Sequence, residues 1–94
     1  MVHIIATIFV IIFGILFNIS IIEWLLVGFV IGFVITSELI NSSIELAVDL
    51  YTSEFNPLAM IAKDVSAGAV VISALTAVIV GIYVFLPKII IVFK

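Results

Sequence analysis

Five polar residues in the middle of the sequence have the spacing of one helix face. At about 100° per residue their side chains fall within a stripe roughly 100° wide. Oxygen ligands of this kind suit Mg²⁺, and a carboxylate can also take a proton from a hydroxyl group. A polar stripe is equally typical of a solvated helix face, so both interpretations stay open. The five residues are Glu38, Asn41, Ser42, Glu45 and Asp49.

The carboxylates of this stripe need a compensating cation. Like charges stacked on one helix face repel each other unless a cation or a proton is present. The nearest basic residue in the sequence is Lys63, which is followed by Asp64 on the next predicted helix. A lysine can offset the charge on a phosphoryl group during transfer. The combination can therefore serve phosphate chemistry, and the interpretation as a solvated face stays open beside it.

The composition is that of a protein embedded in lipid. The chain has 94 residues, of which 67% are hydrophobic and 10% charged, and its mean hydropathy is +1.66. A soluble domain is nearer half apolar and one quarter charged. A net charge of −3 with three Lys and Arg argues against nucleic-acid binding, and the absence of cysteine excludes disulfides and thiolate metal sites.

Three helices are predicted within one domain that covers residues 1–94. Ser20 with Glu23 three residues later forms a capping box at the start of the second helix. Asn56 followed by Pro57 predicts the start of the third helix, and Pro87 with the next residue predicts its end. The tail 89–94 is not assigned. The predicted helices cover about residues 2–17, 20–52 and 57–87.

The second helix is longer than a bilayer is thick. At 1.5 Å per residue it measures roughly 45 Å, against about 30 Å of hydrocarbon. Counting about 20 residues from its start places its exit from lipid near Glu38–Ile40. A carboxylate at such a boundary is expected to be functional. We therefore predict an all-α integral membrane protein with three transmembrane helices per chain.

The residues from Glu38 to Asp49 read ELINSSIELAVD. This segment resembles E-x-x-N-[TS]-[AS]-I-E-x-x-x-D, the signature of the prokaryotic diacylglycerol kinase / undecaprenol kinase family of small integral membrane lipid kinases. A second matching segment, AKDVSAGAV, follows at 62–70. The resemblance extends over nearly the whole chain, and its motif details are more similar to the Gram-positive type, which acts on undecaprenol.

The resemblance implies an ATP-dependent kinase that phosphorylates a membrane lipid alcohol, either diacylglycerol or undecaprenol. It implies a homotrimer that uses Mg²⁺, in a bacterial cell membrane with the active site facing the cytoplasm. Glu38 would be the general base on the lipid hydroxyl, and Glu45 would be a metal ligand. Asn41 and Asp49 would line the site. Lys63 would contact the ATP phosphates, and Asp64 would orient the polar network.

The sequence departs from the family at its start. Family members carry an amphipathic surface helix, with a second metal-binding glutamate, ahead of the first transmembrane helix. No counterpart precedes the first predicted helix here, so we expect either a start farther upstream or a shortened version whose activity is in question.

Two other functions stay open. One is a non-enzymatic membrane oligomer with a carboxylate ion site formed by Glu38, Asn41 and Ser42. That function gives the segment around Lys63 no role. The other is an inactive, truncated kinase that serves as a scaffold. The positive-inside rule is indecisive with so few charges, so the predicted cytoplasmic site depends on the location of ATP.

Overall fold

The computed structural model describes the backbone of residues 2–93 and the side chains of residues 4–93. The described chain is all α-helical, as predicted. Its three helices are α1 (Val2–Leu16), α2 (Ile21–Tyr51) and α3 (Pro57–Val92). Helices α2 and α3 form a long antiparallel hairpin, and α1 packs beside the start of α2 and the end of α3.

The turn between α1 and α2 is fixed by backbone hydrogen bonds. Asn18 has a φ of 54°, a left-handed conformation that asparagine tolerates better than most residues. Its N–H donates to the Ile15 carbonyl at 3.2 Å, and the Ile19 N–H donates to the Gly14 carbonyl, also at 3.2 Å. These two bonds satisfy the last carbonyls of α1 in a Schellman-type cap. The chain therefore reverses within a few residues.

The small apolar core lies beside this turn. Ile19, Val27 and Val84 are its buried members, and they bring together the turn, α2 and α3. Gly14 of α1 is also buried, and it faces the indole ring of Trp24. A Cβ atom at position 14 would lie 2.5 Å from the nearest indole carbon, which is far inside van der Waals contact. Glycine at this position therefore permits the close approach of α1 to α2.

We expect Gly14→Ala to destabilise the fold by about 1–3 kcal/mol, since it overpacks this contact. The measurement is thermal unfolding in detergent, followed by circular dichroism. Trp24→Phe in the same chain shortens the ring and should recover most of the loss. Gly28→Ala is the matched control, because nothing lies within 4 Å of a Cβ there. Equal stability of the Gly14 and Gly28 variants would contradict this description of the contact.

The predicted caps of α2 and α3 are confirmed. The Ser20 hydroxyl accepts from the Glu23 N–H at 3.2 Å, and the Ser20 N–H donates to Glu23 Oε1 at 3.0 Å. Asn56 Oδ1 accepts from the N–H groups of Leu58 and Ala59, at 2.9 and 3.2 Å, and Pro57 follows at the first helical position. Each cap satisfies N–H groups that would otherwise have no partner.

Helix α3 continues through Pro87 to Val92, beyond its predicted end. Proline removes one helical hydrogen bond, but membrane helices tolerate it where other groups re-satisfy the backbone. The carbonyl that loses its helical donor is that of Tyr83, four residues before Pro87, whereas the ammonium of Lys88 lies 3.3 Å from the neighbouring Val84 carbonyl. The same ammonium donates to Glu23 Oε2 at 2.6 Å and joins the end of α3 to the start of α2.

We expect Lys88→Met to destabilise the hairpin, because it leaves the partly buried Glu23 carboxylate without its counter-charge. Adding Glu23→Gln should recover part of that stability, since the unpaired charge is then absent. The check is a double-mutant cycle on unfolding in detergent. Additive effects of the two changes would show that the ion pair contributes nothing.

The dimensions fit a membrane protein that extends beyond the lipid. Within the described residues, α2 and α3 are long and apolar enough to cross a membrane by length and composition. The molecule measures 56 × 20 × 18 Å, against about 30 Å of hydrocarbon. The apolar part of α1, Ile4–Leu16, is shorter than the about 20 residues that a crossing needs. A crossing by α1 therefore stays a prediction.

Candidate functional site

The polar residues predicted to form a site lie at the end of the hairpin opposite the Glu23–Lys88 pair. At 1.5 Å per residue, Glu38 is about 22 Å along α2 from Glu23, and Glu45 is about 33 Å from it. If the ion pair marks one boundary of about 30 Å of hydrocarbon, the other boundary falls between Glu38 and Glu45. On that placement the second acid would lie in water, and the first would lie about 8 Å inside the hydrocarbon.

Asn41 connects the two long helices. Its Nδ2 donates to Glu45 Oε1 at 3.3 Å, one turn farther along α2. Its Oδ1 accepts from the hydroxyl of Ser66 on α3 at 2.6 Å. Asn41 is half-buried and Ser66 is buried, whereas Glu45 is exposed. The carboxamide therefore joins a solvent-facing carboxylate to the packed interface between α2 and α3.

Lys63 pairs with Asp49, which lies about two turns beyond Asn41 toward the connecting turn. The ammonium lies 2.6 Å from Asp49 Oδ1, and the two side chains are 39% and 59% exposed. Both line a cavity of about 110 Å³ with the connecting residues 52–56. A surface ion pair of this kind adds little to stability, but it keeps the lysine ammonium at the open tip of the hairpin.

Glu38 lies on a different side of α2. It is half-buried and lines a groove of about 350 Å³ against α1, whose other walls are almost entirely apolar. Ile4, Thr7 and Ile8 form the α1 side of that groove. The groove at Glu38 is therefore mostly apolar, whereas the cavity at Asp49 and Lys63 is lined in part by polar and charged side chains.

Two of the predicted residues stand apart from these contacts. Asp64 is exposed, and among the described contacts at this end of the molecule none connects it to Lys63 or Asp49. Ser42 is also exposed on α2. The structure thus places both contacts, Asn41 with Glu45 and Asp49 with Lys63, at the end of the hairpin formed by residues 38–66, which we call the polar tip. Asp64 and Ser42 take part in neither contact.

The charge at this tip is strongly negative. Five acids and one lysine lie between residues 38 and 64, which leaves a formal charge of −4 from five minus one. The acids are Glu38, Glu45, Asp49, Glu54 and Asp64. Such an excess lowers the free energy of a bound cation and disfavours a bare phosphate group unless a cation accompanies it.

The donor set fits a magnesium ion that arrives with phosphate. Among residues 4–93, no three His, Asp or Glu side chains are placed to hold a metal ion together. Mg²⁺ is commonly held by one or two carboxylates, with waters and substrate phosphate oxygens completing its octahedron. Glu45 can supply one such carboxylate from its exposed position. Among the described side chains, the groups present do not fit an ion that is held without other ligands.

Sequence reasoning did not identify Ser66 as part of this network. Its signal is modest: a serine three residues after Lys63, and therefore nearly on the same helix face. The Glu23–Lys88 contact was also missed, because the two residues are 65 positions apart. Both the Ser66–Asn41 contact and the Glu23–Lys88 contact form because the chain reverses between α2 and α3.

The chain is similar in sequence to known proteins. The family model for prokaryotic diacylglycerol kinase matches residues 1–85. The undecaprenol kinase of Bacillus subtilis is 51% identical over 51 residues, which are 54% of this chain and 42% of that protein. The diacylglycerol kinase of Synechocystis sp. is 49% identical over 51 residues, which are 53% of this chain and 29% of that protein.

The matched region spans less than half the length of either relative. No solved structure matches the chain. The family model nevertheless extends from the start of α1 to the last turns of α3, and it includes every residue of the polar tip. The chain therefore belongs to the prokaryotic diacylglycerol kinase family.

Proposed function

We propose that this protein is a lipid kinase that transfers the γ-phosphate of ATP to the hydroxyl group of a membrane lipid alcohol, either diacylglycerol or undecaprenol. Family membership and the names of the two relatives support a lipid kinase. The observation that carries the proposal is the position of the polar tip. Glu38 faces an apolar groove, and the Asp49–Lys63 pair lies about 16 Å farther along α2, toward the connecting turn.

The position of Glu38 suits a base that acts on a lipid hydroxyl. In the proposed step its carboxylate takes the proton of that hydroxyl, and the hydroxyl oxygen forms a bond to the γ-phosphorus of ATP. The bond between the γ-phosphorus and the bridging oxygen breaks, and ADP leaves. The groove beside α1 would hold the apolar part of the acceptor while its headgroup faces the carboxylate.

The residues at the tip would hold the nucleotide. Lys63 would contact the ATP phosphates, and Asp49 would hold the lysine in place, as it does in the structure. Asn41 would line the site through its bond to Glu45. Asp64 would orient the polar network, a role for which the described contacts supply no partner.

Mg²⁺ would bind at Glu45 together with the phosphate oxygens of ATP. When bound, it would neutralise charge that develops on the phosphoryl oxygens during transfer. What the chain itself contributes is a carboxylate whose orientation is set by Asn41. The negative charge of the tip would favour binding of the nucleotide as its magnesium complex over the more negative free nucleotide.

The membrane arrangement completes the proposal. We place the protein in the bacterial cell membrane with three crossings per chain, and with the connecting turn 52–56 in the cytoplasm, where ATP is found. We also propose a homotrimer. Large apolar side chains are exposed along all three helices, and lipid or further copies of the chain would cover them.

The test is phosphate transfer by the protein made from its complete reading frame and placed in vesicles with Mg·ATP. Diacylglycerol and undecaprenol are supplied in parallel. We expect a phosphorylated lipid with at least one acceptor, and none when Mg²⁺ is removed with a chelator. Ion flux through the vesicles without ATP would support the carboxylate ion site, and a stable oligomer with no turnover would support the inactive scaffold.

A further inference from the structure

A buried serine contacts the proposed site from the neighbouring helix. Ser66 is 6% exposed, one of few buried polar residues among the described side chains. It lies on α3 three residues after Lys63, and its hydroxyl is 2.6 Å from Asn41 Oδ1. None of the roles in the proposed phosphate transfer falls on it. Its burial and its short contact call for a physical explanation.

The direction of the hydrogen bonds follows from the chemistry of the three groups. An ionised carboxylate such as Glu45 only accepts hydrogen bonds, so the NH₂ group of Asn41 must face it. The carboxamide oxygen of Asn41 then points to α3, where the Ser66 hydroxyl must be the donor. The Lys63 carbonyl, at 3.0 Å, is the other acceptor within reach of that hydroxyl.

We propose that Ser66 is a positioning residue that fixes the carboxamide of Asn41 and, through it, the carboxylate of Glu45. This inference depends on the proposed function, in which Glu45 binds the magnesium ion of Mg·ATP. Ser66 acts through Asn41, and it touches neither substrate nor metal. Its effect is to hold the NH₂ group toward Glu45, so that the carboxylate is oriented before the cation arrives.

Removal of the hydroxyl should loosen that orientation. In Ser66→Ala the oxygen of Asn41 loses its donor, and the carboxamide can rotate away from Glu45. A carboxamide turned by 180° would set its oxygen against the carboxylate, and the two would repel. The loss should therefore appear mainly in the use of Mg²⁺, because Glu45 is the group whose orientation is disturbed.

The kinetic test compares three variants of the full-length protein in vesicles. Ser66→Ala should raise the Mg²⁺ concentration needed for half-maximal transfer by about three- to tenfold, the range that one hydrogen bond is worth. The maximal rate should change less. Ser66→Thr keeps a hydroxyl and should restore the wild-type requirement. Ser73→Ala is the matched control, since Ser73 is also buried on α3 but donates to the Val70 carbonyl of its own helix.

A second readout does not depend on turnover. In protein labelled with ¹⁵N-asparagine, the side-chain NH₂ signal of Asn41 is identified by its loss in Asn41→Asp. Ser66→Ala should shift that signal, whereas Ser73→Ala should leave it unchanged. Unchanged Mg²⁺ dependence and an unchanged Asn41 signal in an active Ser66→Ala protein would overturn the positioning role alone. If Ser66→Ala shifts the Asn41 signal as expected but the wild-type protein transfers no phosphate, the proposed function is overturned instead.

Discussion

Glu38→Gln should lower the rate of lipid phosphorylation by about 10²- to 10⁴-fold, the range that general-base catalysis contributes. The substitution keeps the size and shape of the side chain, but it replaces the carboxylate that takes the proton with a neutral carboxamide. We expect it to leave the fold intact, because Glu38 lies at the edge of a groove and outside the apolar core. The measurement is the initial rate of transfer from Mg·ATP, at saturating acceptor.

Glu23→Gln is the charge-matched control for this experiment. Glu23 lies about 22 Å along α2 from Glu38, where its carboxylate accepts from the ammonium of Lys88. Folded Glu23→Gln protein should transfer phosphate at a rate close to that of the wild-type protein. Full activity of Glu38→Gln would show that the proton is taken by another group, and the assignment of the base would be wrong.

Lys63→Met should lower phosphate transfer by about 10²- to 10³-fold, as expected when a donor aimed at developing charge is lost. The methionine keeps most of the apolar stem and removes the ammonium that Asp49 holds at the tip. Because the lysine would contact ATP in the ground state as well, the KM for ATP should rise while kcat falls. Both constants are measured by varying ATP at fixed Mg²⁺ excess.

Two further substitutions show whether the position of the ammonium matters. Asp49→Asn keeps the lysine but removes its charged partner, so its loss should be smaller than that of Lys63→Met. Lys88→Arg changes a lysine at the opposite end of the same helix while keeping its positive charge, and it should transfer phosphate normally. Equal losses in Lys63→Met and Lys88→Arg would point to a general effect of altering a lysine on this helix rather than to a phosphate contact.

The helix starts could be predicted from sequence because their signals are local. The capping box of Ser20 and Glu23 and the Asn56-Pro57 pair each act within one turn of helix, and the structure confirms all of these contacts. The spacing of Asn41 and Glu45 likewise predicted one shared face, which their hydrogen bond confirms. Features that depend on a few neighbouring residues are therefore readable without coordinates.

Features that depend on contacts between helices were not readable in this way. Pro87 indicates a helix end by its own chemistry, yet α3 continues, and Lys88 there is held by Glu23 across the hairpin. Ser66 became part of the polar tip only when α3 was packed against α2. Helical periodicity gives the face on which a residue lies, but it does not give the residue opposite.

The stripe predicted on α2 divides into two sides in the structure. Glu38 turns to a groove beside α1, whereas Asn41 and Asp49 meet α3. A single helical wheel could not show this division, because the positions of the two neighbouring helices are set by the turns at either end of α2. The division is what separates a lipid side from a nucleotide side in the proposed reaction.

The origin of the phosphate tests the proposed reaction most directly. The protein is placed in vesicles that contain either diacylglycerol or undecaprenol. One sample receives ATP labelled at the γ-phosphorus, and another receives ATP labelled at the α-phosphorus. We expect label in the extracted lipid from the γ-position only, and only with Mg²⁺ present. Unlabelled lipid in both samples, with either acceptor and with full-length protein, would contradict a kinase at the polar tip.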